Sequence, residues 1–425
     1  MEEKLRRELG RWDLTAIAIN TIIGTGIFIL PAKAAGLIGS YSILAILVCA
    51  FVVAAIILCF AEVSSRFSQT GGMYLYAREA FGPVAGFETG WLYWIVRIAT
   101  FAANCNAFLI YLAFIYPSAN QGTARWIIVF LIVFSITLIN LLGIRQSAIM
   151  TNIFTIGKIL PLLLFSIIGL FYFQPKNLDF SILPEYGKFS EAVLLLIYAY
   201  VGFEAAVIPA GESKSPGKNL PFALIAAVIF CAILFVFIQA VALGTLPELA
   251  MSERPLADAA GKFMGATGMY LIVFGALVSI LGNLNGGFLA ASRMPFAMSE
   301  NGDLPKALSL TQEKFKTPYI SILITSSVIF ILTIQSSFFS AVTIATITRL
   351  LVYATTCLAV PIFRRRKDLP AAEFSLRSGL LFPAVSILLI LWLLTNVDYT
   401  KEGLPVIIAA AAGFFIFFAY RLLAK

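Results

Sequence analysis

The chain has 425 residues, 60% of them hydrophobic and only 12% charged, and its mean hydropathy is +0.94; that balance excludes an ordinary soluble domain and defines an integral membrane protein. It contains no histidine, which excludes a histidine-based hydrolytic triad, a histidine metal site and a histidine proton switch. The formal charge of +8 reads as a topology signal rather than a nucleic-acid surface, with acidic lipid headgroups as the neighbours.

A bilayer crossing needs about 20 mainly apolar residues. Twelve such helical spans are predicted, at 13–38, 40–66, 84–114, 124–142, 147–173, 190–211, 220–245, 268–297, 318–335, 338–362, 378–396 and 402–423. Basic residues near span ends favour the cytoplasmic side. They cluster at Lys4, Arg6, Arg7 and Arg11, at Lys306, Lys314 and Lys316, and at Arg364, Arg365, Arg366 and Lys367, which puts both termini in the cytoplasm. The first apolar run is too long for a removed signal peptide, so the first span is expected to stay. The lack of any N-x-S/T sequon and of a large extracellular domain fits a bacterial inner membrane.

Span one contains "NTIIGTGIFILPA", Asn20 to Ala32, in which Gly24, Gly26 and Pro31 stand where an uninterrupted helix would want none. Two readings apply: close helix packing through small residues, or a deliberate break that frees backbone groups for a ligand. "GTGIFI" is no dinucleotide fingerprint, because it lacks the third glycine and the flanking strand. Span two ends with Glu62 beside Arg66, where the carboxylate can reach the cytoplasmic interface. Span three carries Arg97, and span five carries Lys158 in "TNIFTIGKILPLLLF". A buried lysine readily changes protonation state, and its ammonium can stand in for a bound cation. In span six, Val201-Gly202-Phe203-Glu204 repeats the mixture of small and polar residues seen in span one. The following "GESKSPGKN" has five residues between its glycines and Asn219 in place of Ser or Thr, so it is a turn and not a phosphate loop. Span ten carries Arg349. Charges at these depths are structural ion pairs or parts of a substrate or proton pathway, and pseudo-symmetry makes Glu204 the expected partner of Arg349. Cys49, Cys59, Cys105, Cys231 and Cys357 all fall inside spans with no CxxC and read as packed free thiols.

The two interrupted spans lie five apart. An odd offset makes the second unit enter the membrane from the opposite side, the pattern of inverted repeats whose broken helices meet at a midplane site. Residues 13–173 and 190–362 are then the repeats of a single transporter domain, and 378–423, beyond the basic "FRRRKDLPAAEFSLR", form two additional helices.

Together with "AEVSSRFSQTGGMYLYAREAFGP", "YAYVGFEAAVIPAGESKSPGKNLP" and "LGNLNGGFLAASRMPFAMSENGDLP", the span-one stretch makes nearly the whole chain resemble the amino acid–polyamine–organocation (APC) transporter superfamily. The resemblance implies an all-α membrane protein with a five-plus-five inverted-repeat fold, broken helices one and six, alternating access and no cofactor. It implies that the Gly24-Thr25-Gly26 break meets the substrate carboxylate through the Thr25 and Gly26 amides, with the Thr25 hydroxyl in reach. The carbonyls of Ile22, Tyr198 and Val201, beside Gly202, would receive the ammonium. Tyr198 and Phe203 would form a gating wall, and Phe101 would face the pocket. Lys158 falls where sodium-coupled relatives bind a cation, with the Asn20 and Ile23 carbonyls and Ser279 as partners. Lys158 and Glu204 are the proton-coupling candidates, and Arg97 and Arg349 the intramembrane charge partners. Phe101 and Gly287 replace the polar or large aromatic residues of cation-selective members, which favours a neutral side chain; an anionic one stays open if the two arginines face the pocket. The expected function is proton-coupled uptake of neutral amino acids. An obligate exchanger, a non-transporting amino acid sensor and a passive channel are the alternatives. The expected partners are therefore an amino acid, protons and lipid; the oligomeric state and the individual amino acid are not readable.

Overall fold

The computed structural model describes residues 9–69, 71–142, 145–313, 315, 317–395, 397 and 403–423. Lys4, Arg6, Arg7, Lys314 and Lys316, used above for topology, lie outside the described residues. The described chain is helical: α1 (Arg11–Ile22), α2 (Gly26–Ile38), α3 (Ser42–Ser64), α4 (Met73–Phe81), α5 (Pro83–Leu112), α6 (Gly122–Leu141), α7 (Arg145–Phe171), α8 (Tyr186–Tyr200), α9 (Pro216–Thr245), α10 (Pro255–Glu300), α11 (Tyr319–Gln335), α12 (Phe338–Arg365), α13 (Leu381–Leu394) and α14 (Leu404–Leu423). Eight helical runs among the described residues are long and apolar enough to cross a membrane, and the apolar α11 and α13 are shorter.

Predicted spans one and six are not continuous helices. The first stops at Ile22 and restarts at Gly26. The sixth stops at Tyr200, passes through extended Val201 and positive-φ Gly202, and continues as the 3-10 segment Phe203–Glu212. Predicted span eight lies within the longer α10, which turns at Gly265 (φ 64°), so residues 255–264 form a separate short helix that hydropathy alone did not indicate. The short amphipathic α4 was likewise not predicted as a span. Pro31 sits inside α2 without ending it; buried surroundings tolerate a proline at such a position.

α5 is the central scaffold, packing on α10 and α12, while α10 also packs on α7; α3 and α1 lie against α9, and α2 against α8. This brings the break after α1 and the break after α8 together in the interior. At the end of α3, Glu62 is buried and is held by Arg364 of α12 (Nε to Oε1 2.6 Å, Nη2 to Oε2 2.5 Å) and by the Leu376 amide at 2.9 Å. This differs from the interfacial placement beside Arg66 expected from the sequence: Arg66 instead donates to the Pro370 carbonyl. A second clamp joins Arg78 and Tyr74 of α4 to Asp303. Burial and the Asp303 carboxylate push the Tyr74 phenol well above its ordinary range, which keeps it a donor. All five cysteines are free and buried.

Candidate functional site

The two breaks touch through glycine. A Cβ added at Gly26 would stand 2.8 Å from the Ala199 Cα, and one at Gly202 would stand 2.3 Å from the Thr21 carbonyl oxygen. Gly202 also has φ 119°, a conformation that L side chains rarely adopt. Close packing and backbone interruption, the two readings of the span-one glycines, therefore coexist at this junction.

The carbonyl groups released at the end of α1 have identifiable partners. Lys158, fully buried on α7, donates from Nζ to Asn20 O at 2.9 Å and to Ile23 O at 3.0 Å. Ser279 Oγ approaches Ile23 O at 3.4 Å. Asn283 Nδ2 donates to Thr21 O at 3.3 Å, and the Gly24 amide donates to Ile22 O at 2.8 Å. On the other side of the break, α2 starts at Gly26, and the first amides of a helix have no partner within it.

Between the breaks lies a small cavity of about 20 Å³, lined by Thr21, Ile22, Gly24, Thr25, Gly26, Arg97, Thr100, Asn104, Tyr198, Val201, Gly202, Asn283 and Arg349. That volume is on the scale of one water molecule, so the lining helices must separate to admit an amino acid. Of the residues expected at the substrate, Ile22, Gly24, Thr25, Gly26, Tyr198, Val201 and Gly202 are on its wall. Phe101 and Phe203 are not among its lining residues. Phe101 packs against Phe288; around α5 it stands about 40° from Arg97 and about 60° from Asn104, at the edge of the face these residues turn to the cavity. Phe203 lies behind the wall, packed on Phe60 and Tyr353.

Sequence reasoning missed Asn104, Asn283, Thr21 and Thr100. Asn104 is the hub of a polar network: its Oδ1 accepts from Thr25 Oγ1 at 2.7 Å and from Tyr198 OH at 3.3 Å, while its Nδ2 donates to Asn283 Oδ1 at 3.0 Å. The i, i+3, i+7 spacing of Arg97, Thr100 and Asn104 was the available signal.

Glu204 sits just past the second break with donors on both carboxylate oxygens. Arg349 Nε lies 3.2 Å and Arg97 Nη2 3.4 Å from Oε1. Tyr353 OH donates to Oε2 at 2.6 Å and the Gly202 amide at 2.9 Å. Arg97 also bonds to the Tyr93 hydroxyl through Nε and Nη2, and Arg349 Nη2 donates to Thr100 Oγ1 at 3.0 Å. Neither Lys158 nor Glu204 lines the cavity; both arginines do. No group of His, Cys, Asp and Glu among the described residues is arranged to hold a metal ion.

Such an interior, polar and built from interrupted helices inside an apolar bundle, defines a multi-pass helical membrane transporter rather than an enzyme. The family profile described as "Amino acid permease" matches residues 9–420, and the chain belongs to that family of membrane transporters. It is 29% identical to the branched-chain amino acid permease of Bacillus subtilis (strain 168), over 94% of this chain and 90% of that one. To the methylthioribose transporter of the same organism it is 26% identical, over 98% and 94%, and to its serine/threonine exchanger 29%, over 75% and 74%.

Proposed function

We propose that this permease is a secondary transporter that takes up amino acids together with protons by alternating access. The observation that carries the reading is the meeting of two interrupted helices at one small interior cavity, with helix-end backbone groups on its wall. In this reading the amides at Thr25 and Gly26 receive the α-carboxylate, which a helix N-terminus favours. The carbonyls of Ile22, Tyr198 and Val201 receive the α-ammonium. Residues 13–173 and 190–362 act as inverted repeats that rock about the site, with 378–423 appended, in a bacterial inner membrane with both termini inside.

Lys158 carries the coupled proton. As an ammonium it ties α7 to the two carbonyls at the break; as an amine it loses the charge that makes those bonds strong, and the break can rearrange. Glu204 acts as the counter-ion of the two arginines, since three hydrogen-bond donors and the Arg349 ion pair already occupy its oxygens. Gly287 offers no partner to a cationic side chain and Arg97 repels one, which supports neutral over cationic substrates.

An exchanger is the second reading, favoured by the similarity to a serine/threonine exchanger. Lys158 is then a permanently charged strut. Uptake of labelled amino acids into proteoliposomes, with and without an imposed pH gradient, separates the two. Accumulation that follows the gradient supports symport, whereas uptake that ignores the gradient and requires internal substrate supports exchange. Saturation and counterflow, absent from a channel, are expected in both.

A further inference from the structure

The charge on the cavity wall is unbalanced. Arg97 and Arg349 both line it, and no lining residue is an aspartate or glutamate. The side chains of Arg97, Arg349 and Glu204 are all buried, at 3%, 1% and 0% exposure. The one carboxylate between two guanidinium groups lies behind the wall and is already committed to three hydrogen-bond donors, with Arg349 Nε in ion-pair contact. The other polar groups touching this cluster, Tyr93, Tyr353 and Thr100, are hydroxyls that carry no compensating charge. One positive charge is left over in a low-dielectric interior, where an unneutralised ion is expensive.

The excess has a location. Arg349 Nε and Nη1 are buried and have no hydrogen-bond partner among the described residues; Nε is in ion-pair contact with Glu204 at 3.2 Å, Nη2 is held by Thr100, and Nη1 has neither. Buried polar atoms in folded proteins are almost always satisfied, and an exception asks for an explanation. A guanidinium presents a planar fork of donors that matches a carboxylate. The arginines stand on α5 and α12, on the side of the cavity carried by Glu204 and the second break, while the α2 N-terminus belongs to the first. A ligand holding two anionic groups can therefore meet both.

We infer that Arg349, with Arg97 beside it, forms a subsite for a carboxylate on the substrate's side chain, and that acidic amino acids are the preferred cargo. This deepens the amino acid transport reading and rests on it. The acidic side chain neutralises the excess charge and satisfies Nη1; an amide of the same shape does neither. The preference comes from the charge balance of the site, so it separates glutamate from glutamine and aspartate from asparagine.

The test uses the full-length protein in proteoliposomes preloaded with unlabelled amino acid, with labelled glutamate, aspartate, glutamine and asparagine outside. The wild type should favour each acid over its amide by about ten- to a hundredfold in uptake efficiency, the range expected for one hydrogen-bonded charged group. Arg349→Gln should reverse or abolish the acid-to-amide ratio, and Arg349→Lys, which keeps the charge but loses the fork, should retain part of it. If the arginines bind the α-carboxylate instead, Arg349→Gln lowers acid and amide uptake equally; the unchanged ratio overturns the subsite. Amides transported in preference to acids by the wild type overturn the subsite and leave amino acid transport standing. No flux of any amino acid overturns both. Should Arg349→Gln fail to fold, the wild-type ratio and thermal stabilisation of the wild type by glutamate against glutamine still decide.

Discussion

Lys158 of α7 and Ile23 at the end of α1 are joined by a 3.0 Å hydrogen bond from Nζ to the carbonyl oxygen, and the same ammonium holds Asn20 O at 2.9 Å. One side chain thereby replaces the helical partners that the break removes. In the proposed mechanism this bond is what lets the conformation of the break follow the protonation of the nitrogen.

Lys158→Gln therefore keeps a donor but removes the titratable charge. Accumulation of amino acid driven by an inward proton gradient should fall by about tenfold or more, the equivalent of one lost charge-assisted interaction, while counterflow continues. Gradient-driven accumulation at the wild-type level in this variant rules out the assigned role.

Glu204→Gln should destabilise the protein strongly, because it leaves two buried guanidinium groups facing each other without an anion. Removing one partner from a buried ion pair costs about 3–5 kcal/mol, which a thermal unfolding series in detergent should register as a clear fall in Tm. Adding Arg349→Gln to Glu204→Gln should recover part of the loss. A double variant that merely sums the two single losses shows that the residues do not interact.

Glycine at the junction of the breaks is expected to be irreplaceable for two different reasons. Gly26→Val drives side-chain atoms into the Ala199 backbone, and overpacking of this kind costs about 1–3 kcal/mol. Gly202→Ala combines a clash at the Thr21 carbonyl with a positive φ and should be at least as harmful. Gly287→Ala is the control: nothing lies within 4 Å of the added carbon, so thermal stability should stay level or rise slightly. Equal Tm values for all three would show that the junction is not tightly packed.

Asn104→Leu removes the acceptor shared by Thr25 and Tyr198 and leaves both hydroxyls to find other partners. KM should rise by about tenfold for acidic and neutral amino acids alike, in keeping with about 1–3 kcal/mol for an unsatisfied buried polar group. The acid-to-amide ratio set by Arg349 should not move. Selective loss of one substrate class would instead assign Asn104 to side-chain recognition.

Glu62→Gln loosens the contact between the ends of α3 and α12. Arg364 is partly exposed, which limits the loss to about 1 kcal/mol. The expected readout is faster proteolysis between residues 366 and 380, where Leu376 loses its carboxylate acceptor. Unchanged cleavage there means the clamp does not hold this segment.

The membrane class, the helical character of the chain and the positions of both interruptions were legible in the residue order, because each rests on local information. Apolar run length identifies a span, and glycine beside polar residues marks a break. Lys158 also stood out, since a lone ammonium in an apolar run is costly wherever the chain folds. Three-dimensional packing decided matters that spacing does not carry. It turned Arg97, Thr100 and Asn104 toward the cavity. It paired Glu62 with Arg364, 302 positions distant, rather than with its neighbour Arg66. It also set two arginines against one carboxylate and left Arg349 Nη1 without a hydrogen-bond partner among the described residues. Sequence fixes which groups are too polar for lipid, but a buried charge is neutralised by whatever the fold brings within a few ångströms, and those partners come from helices far apart in the chain.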